Sequence, residues 1–264
     1  MAWSSICKFI KKKKSNKKPK ANNLLKRRNM LQIKNLEKCY QAGIKAVDNL
    51  SLNVKSGEIY GFVGHNGAGK STTIKAMVGA LGFDKGEILI DGISIKDNPV
   101  GAKQVLAYIP DNPDIYEHLT GIQYINFVCD IFGVGDERNA LISRYAEDFQ
   151  IKENLGDLIS TYSHGMKQKL VLISALVHSP KLLVLDEPFV GLDPVASFRL
   201  KEIMKELCAN GSAIFFSSHV LEVVEKLCDR VGIIKKGKLV LEGTIEEIAG
   251  DKSLEKLFLE IADE

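Results

Sequence analysis

Glycines, a lysine and two hydroxyls are crowded into one stretch of this chain, Gly64-His65-Asn66-Gly67-Ala68-Gly69-Lys70-Ser71-Thr72. The pattern Gly-x4-Gly-Lys-Ser suits phosphate chemistry. The glycines let backbone N–H groups crowd an anion, Lys70 reaches the β and γ oxygens of a nucleoside triphosphate, and Ser71 offers a hydroxyl to magnesium. Every residue from Gly64 to Thr72 is thereby a candidate nucleotide contact. A second stretch, Leu182-Leu183-Val184-Leu185-Asp186-Glu187, is an apolar run that ends in two carboxylates. Asp186 suits magnesium held through water, and Glu187 beside it is placed to orient and deprotonate an attacking water. Ser163, ahead of His164, Gly165 and Met166, reads as a helix N-cap. Its hydroxyl and the free N–H groups behind it make a second anion site, too far along the chain to be assumed part of the first. The fourth segment is Ser217-Ser218-His219, an imidazole placed after a further apolar run.

These groups need elements to hold them. Glu58 to Val63 reads as a strand that feeds the glycine loop, and Ser71 to Ala80 as the helix after it, stopping near Gly79 and Gly82. That helix points the positive end of its dipole at the bound anion. Short alternating runs at Leu31–Lys34 and Leu50–Val54 read as edge strands. Further strands are expected at Gly86–Asp91, Val105–Ile109, Leu182–Leu185, Ala213–Ser217, Val231–Ile234 and Lys238–Glu242. Their alternation with helical segments predicts an α/β fold: a mostly parallel sheet covered on both faces, with antiparallel strands at its edges. Between Pro113 and Ser160 the strand signal disappears. Apolar residues recur there at helical spacing, as in Ile122, Ile125 and Cys129, then Leu141, Tyr145 and Phe149, which predicts a helical subdomain inserted over about 112–165. No internal repeat is present, so the chain carries one nucleotide-binding unit.

At 264 residues the chain can bury a full core. It has no apolar stretch of membrane-spanning length. Its five cysteines are widely separated and form no metal-binding spacing, as expected of reduced thiols in a cytosol. Residues 1 to 30 hold nine Lys and two Arg with no Asp or Glu, so a chain of net charge +3 leaves the remainder at −8. A dedicated nucleic-acid binder would carry its positive charge on the folded domain, which disfavours nucleic acid as partner. Two readings of the tail stay open: a solvated extension, or contact of residues 1–28 with an anionic membrane surface, with Trp3, Ile6, Phe9 and Ile10 dipping in. The expected organisation is a basic tail over 1–30, a nucleotide-binding domain over 31–243 and a helical extension over 244–264.

Residues 31 to about 243 resemble the ATP-binding subunit of ABC transporters, and the P-loop fold of that family is the expected fold. In the resemblance 64–72 is the Walker A loop, Tyr162-Ser163-His164-Gly165-Met166 the signature, 182–187 Walker B, Gly191-Leu192-Asp193-Pro194 the D-loop, and His219 the switch histidine that contacts the γ-phosphate. Tyr40 matches the aromatic that stacks on adenine. Asp111 stands where the family usually has a glutamine that meets the metal; an acid can still coordinate magnesium through water but cannot donate as an amide does. His164 replaces the signature's first glycine and Met166 its glutamine. The resemblance implies ATP and Mg2+ as ligands and Glu187, His219 and Lys70 as catalytic residues. It also implies a homodimer or pseudo-symmetric dimer in which Ser163 and Gly165 of one copy complete the ATP site of the other. A separate transmembrane permease, docked near residues 112 to 135, would place the chain at the cytoplasmic face of the membrane, and the exporter-like bacterial group fits best. Two alternatives are a non-transport ABC ATPase of translation or DNA repair, and a regulatory module clamped by ATP with little turnover.

Overall fold

The computed structural model describes residues 28–40, 43–250 and 252–263. The basic tail, with its suggested membrane contact, therefore falls outside the described residues apart from Arg28, whose guanidinium pairs with Asp91 at 3.2 Å, and Asn29 and Met30, which begin the first strand.

Strands β1 (Asn29–Cys39), β2 (Lys45–Lys55), β4 (Lys85–Ile90) and β5 (Ile93–Ser94) form a four-stranded sheet in the order β2-β1-β4-β5, with every pair antiparallel. A second sheet holds β3 (Ile59–Val63), β6 (Leu106–Ile109), β7 (Leu182–Asp186), β8 (Ala213–Ser217), β9 (Arg230–Lys235) and β10 (Lys238–Gly243) in the order β10-β9-β3-β8-β7-β6. Every pairing from β9 across to β6 is parallel, and β10 closes one edge antiparallel. The α/β class stands, but the first strands do not line the edge of the parallel sheet; they make a sheet of their own. The runs visible at Leu31–Lys34 and Leu50–Val54 are the regular middles of two 11-residue strands whose register shifts at bulges. A bulge breaks the period of two on which strand recognition depends.

The parallel strands are buried on both faces, and their alternation divides the interior in two. Ile59 and Val63 of β3, Leu183 and Leu185 of β7, and Ile214 and Phe216 of β8 face a core shared with the helices. Tyr60 and Phe62, Leu182 and Val184, and Ala213 and Phe215 face a core shared with the antiparallel sheet. Burying a large apolar side chain of this kind stabilises the fold by about 1.5–3 kcal/mol. Both cores therefore clamp the same three strands, whose carboxyl ends carry the candidate site.

Helix α1 (Lys70–Met77) follows the glycine loop and stops just before Gly79, which adopts a left-handed φ of 68°, as the glycine there predicts. Helix α2 (Pro99–Gln104) is capped by Asn98 and precedes β6. After an irregular stretch over 110–120 the chain is helical: α3 (Gly121–Phe132), α4 (Arg138–Asp148) and α5 (His164–Leu176), with two short 3-10 turns between the last pair. Thr120 and Gln123 form a capping box at α3, which buries Ile125 and Cys129 as the spacing implied. In α4 the buried face is Ile142, Tyr145 and Ala146. Helices α6 (Pro194–Ala209), α7 (Leu221–Leu227), α8 (Ile245–Ala249) and α9 (Leu254–Asp263) complete the chain. The cysteines among the described residues, Cys39, Cys129, Cys208 and Cys228, form no disulfide.

Candidate nucleotide site

Three of the four segments converge because register aligns them. Ser217 at the end of β8 pairs with Phe62 of β3 on one side and Asp186 of β7 on the other. The glycine loop, the two carboxylates and the Ser-Ser-His segment thus leave the sheet together at the carboxyl ends of adjacent parallel strands, where open α/β sheets hold ligands.

The loop is fixed by close approach as well as by conformation. A side chain at Gly64 would come within 2.5 Å of the Ile234 carbonyl, and one at Gly69, whose φ is 111°, would collide with the Ala46 carbonyl. The Gly237 N–H donates to the Ala68 carbonyl at 2.8 Å, tying the loop to the β9–β10 hairpin. Lys70 is 7% exposed, and its ammonium donates to the carbonyls of Gly64 at 2.6 Å and His65 at 3.3 Å. Burial lowers its pKa, opposed by the negative charges of Glu187 and Asp186. Its proximity to those acids places the lysine between loop and carboxylates.

Asp186 is 3% exposed. Burial raises its pKa, while hydrogen bonds from Ser217 and Ser71 hold it down. The Ser217 hydroxyl donates to Asp186 Oδ1 at 2.5 Å and accepts from the Glu187 N–H at 3.2 Å. Ser71 Oγ and the Asp186 carboxylate therefore face one point, a hard-oxygen pair that fits magnesium. Among the described residues no group of three or more His, Cys, Asp or Glu could hold a metal alone. Such an ion would draw its other ligands from water and phosphate, as Mg2+ commonly does.

Glu187 has a left-handed φ of 52°, a conformation that costs a non-glycine residue on the order of 1–2 kcal/mol. It aims the carboxylate away from the strand line toward His219, whose Nδ1 lies 2.9 Å from Glu187 Oε2 and whose backbone N–H reaches the same oxygen at 3.3 Å. An ionised carboxylate only accepts, so Nδ1 carries the hydrogen and Nε2 is left for another partner. Tyr40 is half exposed, and its hydroxyl lies 3.3 Å from Thr72 Oγ1, which sets an aromatic face beside the loop's far end.

Asp111 is exposed and takes a hydrogen bond from the Asn112 N–H at 2.8 Å. Its charge reaches Asp186 and Tyr108, and the Tyr108 hydroxyl, mainly through burial and then through those two acids, is pushed up to about 12. Tyr108 is a neighbour of the acidic pair that the motifs did not single out.

Ser163 is the N-cap of α5 and accepts from the Met166 N–H at 3.3 Å. His164 and Gly165 lie against Gly191 of the same chain. A side chain on Gly165 would lie 3.0 Å from the Gly191 carbonyl, and the His164 ring lies against Gly191 itself. Lys169 pairs with Asp193 at 2.6 Å, and Asp193 caps α6 by accepting from the Ala196 N–H. Among the described residues no hydrogen bond joins 163–165 to the glycine loop.

A parallel sheet with a strand, glycine loop and helix, and acids at the end of a neighbouring strand, defines a P-loop nucleotide-binding protein. The ABC transporter family model matches residues 47–190. The chain is 39% identical over 211 residues to the uncharacterised ABC transporter ATP-binding protein YhcH of Bacillus subtilis, covering 79% of this chain and 68% of that one. It is 37% identical over 215 residues to the linearmycin resistance ATP-binding protein LnrL of Bacillus subtilis, with 81% and 68% covered. With the bacitracin transport ATP-binding protein BcrA of Bacillus licheniformis it shares 39% over 199 residues, 75% of this chain and 64% of that one. A solved ATP-binding subunit of an ABC transporter superposes with a TM-score of 0.86 at 33% identity, over 88% of this chain and 99% of the other. This chain belongs to the ABC transporter family as an ATP-binding subunit, an ATPase by class.

Proposed function

We propose that two copies of this chain, or this chain and a close relative, close head to tail around two ATP and reopen on hydrolysis, driving a separate transmembrane exporter. The observation that carries this reading is the placement of the signature. His164 and Gly165 lie against Gly191, and Lys169 pairs with Asp193 at the start of α6, so the segment faces away from its own glycine loop; the His164 and Gly165 N–H groups and the hydrogen of the Ser163 hydroxyl, whose oxygen accepts from the Met166 N–H, are left for the phosphate held by a second copy's Lys70.

Within one half-site the residues divide the work. The N–H groups of Gly64 to Thr72 and the Lys70 ammonium hold the β and γ oxygens once Lys70 leaves the Gly64 and His65 carbonyls. Tyr40 stacks on the base. Ser71 and Asp186, and Asp111 through water, would hold Mg2+, which supplies charge neutralisation at the phosphates. Glu187 takes the proton of the attacking water while His219 fixes the carboxylate by donating from Nδ1; Nε2 meets a γ-phosphate oxygen as a donor when the ring carries both hydrogens. ATP binding then acts as the adhesive between copies, giving the differential affinity that a two-state motor requires.

The export reading is supported by two relatives, the linearmycin resistance and bacitracin transport ATP-binding proteins. A membrane partner is supported by an aromatic cluster on the helical region: Tyr116 and Phe127 are 53% and 43% exposed with ring centroids 5.8 Å apart, and Ile131 beside them is 59% exposed. No helix among the described residues is long and apolar enough to cross a membrane, so the span would come from that partner, with this chain on its cytoplasmic face. Replacing Glu187 with Gln tests the scheme. The variant is expected to bind ATP, lose turnover and run as an ATP-dependent dimer in light scattering; hydrolysis at the parent rate would remove Glu187 as the base.

A further inference from the structure

The C-terminal helix α9 makes a contact that no motif requires. The ring of Phe258 lies against that of His65, with centroids 4.6 Å apart and planes tilted by 42°, so the end of the chain touches the second residue of the glycine loop. Beside this ring pair is a cavity of about 280 Å³ whose walls include Gly64, His65, Asn66, His219, Leu221 and Phe258. One wall is the loop that faces the terminal phosphate, another is the switch histidine with the start of α7, and the third is α9.

The helix is held at three points. Leu254 is fully buried, and Leu257, Phe258 and Ile261 pack on the core shared with the helices. The Lys235 ammonium, at the end of β9, donates to the Ile261 carbonyl at 2.6 Å, and Lys252 pairs with Glu260 at 2.6 Å. α9 also packs against α7, which begins two residues after His219. One helix therefore touches both segments that must keep their spacing when a γ-phosphate is attacked.

We infer that α9 is a working part of the ATP site, with Phe258 a positioning residue that holds His65, and the loop backbone behind it, at a fixed distance from His219. The inference rests on the reading that Lys70, Glu187 and His219 hydrolyse ATP. Lys70 and the loop from Gly67 to Thr72 do not line this cavity, whereas the side chains of His65, Asn66 and His219 do, on the side of the reacting end. Loss of the Phe258 ring accordingly affects turnover more than binding. Misplacement of reacting groups by a fraction of an ångström to one ångström slows chemistry strongly, up to about a hundredfold.

The test compares the full chain with Phe258→Ala, Phe258→Tyr, His65→Ala and the Phe258→Ala/His65→Ala double variant by steady-state ATP hydrolysis and fluorescent-nucleotide binding. Phe258→Ala is expected to lower kcat on the order of 5- to 20-fold with nucleotide affinity changed by less than about twofold, and Phe258→Tyr to retain the parent rate. His65→Ala should reproduce the loss, and the double variant should add nothing to it, as expected of two residues acting through one contact. A parent-level kcat in Phe258→Ala, or additive losses in the double variant, would overturn the proposal. Should Phe258→Ala fail to fold, His65→Ala decides alone, and an unchanged kcat there overturns it. Lys70→Ala runs alongside: activity that survives it would mean that hydrolysis does not belong to this site, a failure of the underlying reading and not of the helix.

Discussion

Replacing Ser217 with Ala removes one oxygen that joins β8 to the end of β7 at the site. Its hydroxyl donates to Asp186 at 2.5 Å and accepts from the Glu187 N–H at 3.2 Å, and Ser217 itself is fully buried. A hydrogen bond to a charged acceptor contributes about 1.5–3 kcal/mol. The lower end applies here for two reasons: Ser71 also donates to Asp186, and the Glu187 N–H keeps the Ser217 carbonyl at 3.3 Å. A loss of about 1.5 kcal/mol corresponds, for a chain of this size, to a melting temperature lower by roughly 3–6 °C. Ser217→Ala also removes one of the bonds that hold the Asp186 pKa down, so the carboxyl binds its proton more readily and more Mg2+ is needed for half-maximal hydrolysis. Calorimetry of the nucleotide-free chain and a Mg2+ titration of ATP turnover measure the two effects. A variant with the parent's melting temperature and Mg2+ requirement would refute the role given to this hydroxyl.

Burial raises Asp186 above its ordinary 3.8. A raised carboxyl contributes stability that is fully present below the unfolded pKa and is lost as pH rises through the folded one. Asp186→Asn, measured by denaturant unfolding without metal or nucleotide, should therefore gain stability relative to the parent as pH is raised from about 4 toward 7. The gain is about 1.4 kcal/mol for each tenfold by which folding weakens the acid; a difference that is flat with pH, or that shrinks, contradicts the burial argument. Gly191 has a φ of 80° and lies against the His164 ring, so Gly191→Ala should lower both thermal stability and hydrolysis. His164→Gly in the same chain should recover part of the loss by vacating that space, and no recovery would show that backbone conformation alone is responsible.

The residues that were legible in the sequence are those whose chemistry forces a local pattern. A phosphate loop needs its glycines, lysine and serine adjacent in the chain, so Gly64 to Thr72 could be read directly, as could the buried strand ending at Asp186 and Glu187. The N-cap role of Ser163 was legible for the same reason. What could not be read depends on contacts between distant segments. The separate antiparallel sheet follows from pairings of β1 with β2 and β4 that pass through bulges. Ser217 lay within a recognised segment, yet its bridge to Asp186 exists only through strand register. Phe258 belongs to an amphipathic helix of ordinary composition, and nothing in its neighbours announces His65, far away near the start of the chain. The same is true of His164 and Gly191: the substitution of a glycine was visible, while the D-loop surface that the ring covers was not.

The claim on which the account turns is that the ATP site is shared between copies, and mixing two disabled chains tests it most directly. Lys70→Ala cannot hold phosphate on its own loop, and Ser163→Arg cannot complete the site of its partner. Each is expected to be inactive alone. In a mixed dimer one site combines an intact Lys70 with an intact Ser163, so ATP hydrolysis should reappear on mixing, in proportion to the mixed dimers formed. Activity that stays at the sum of the two separate chains would contradict the shared site.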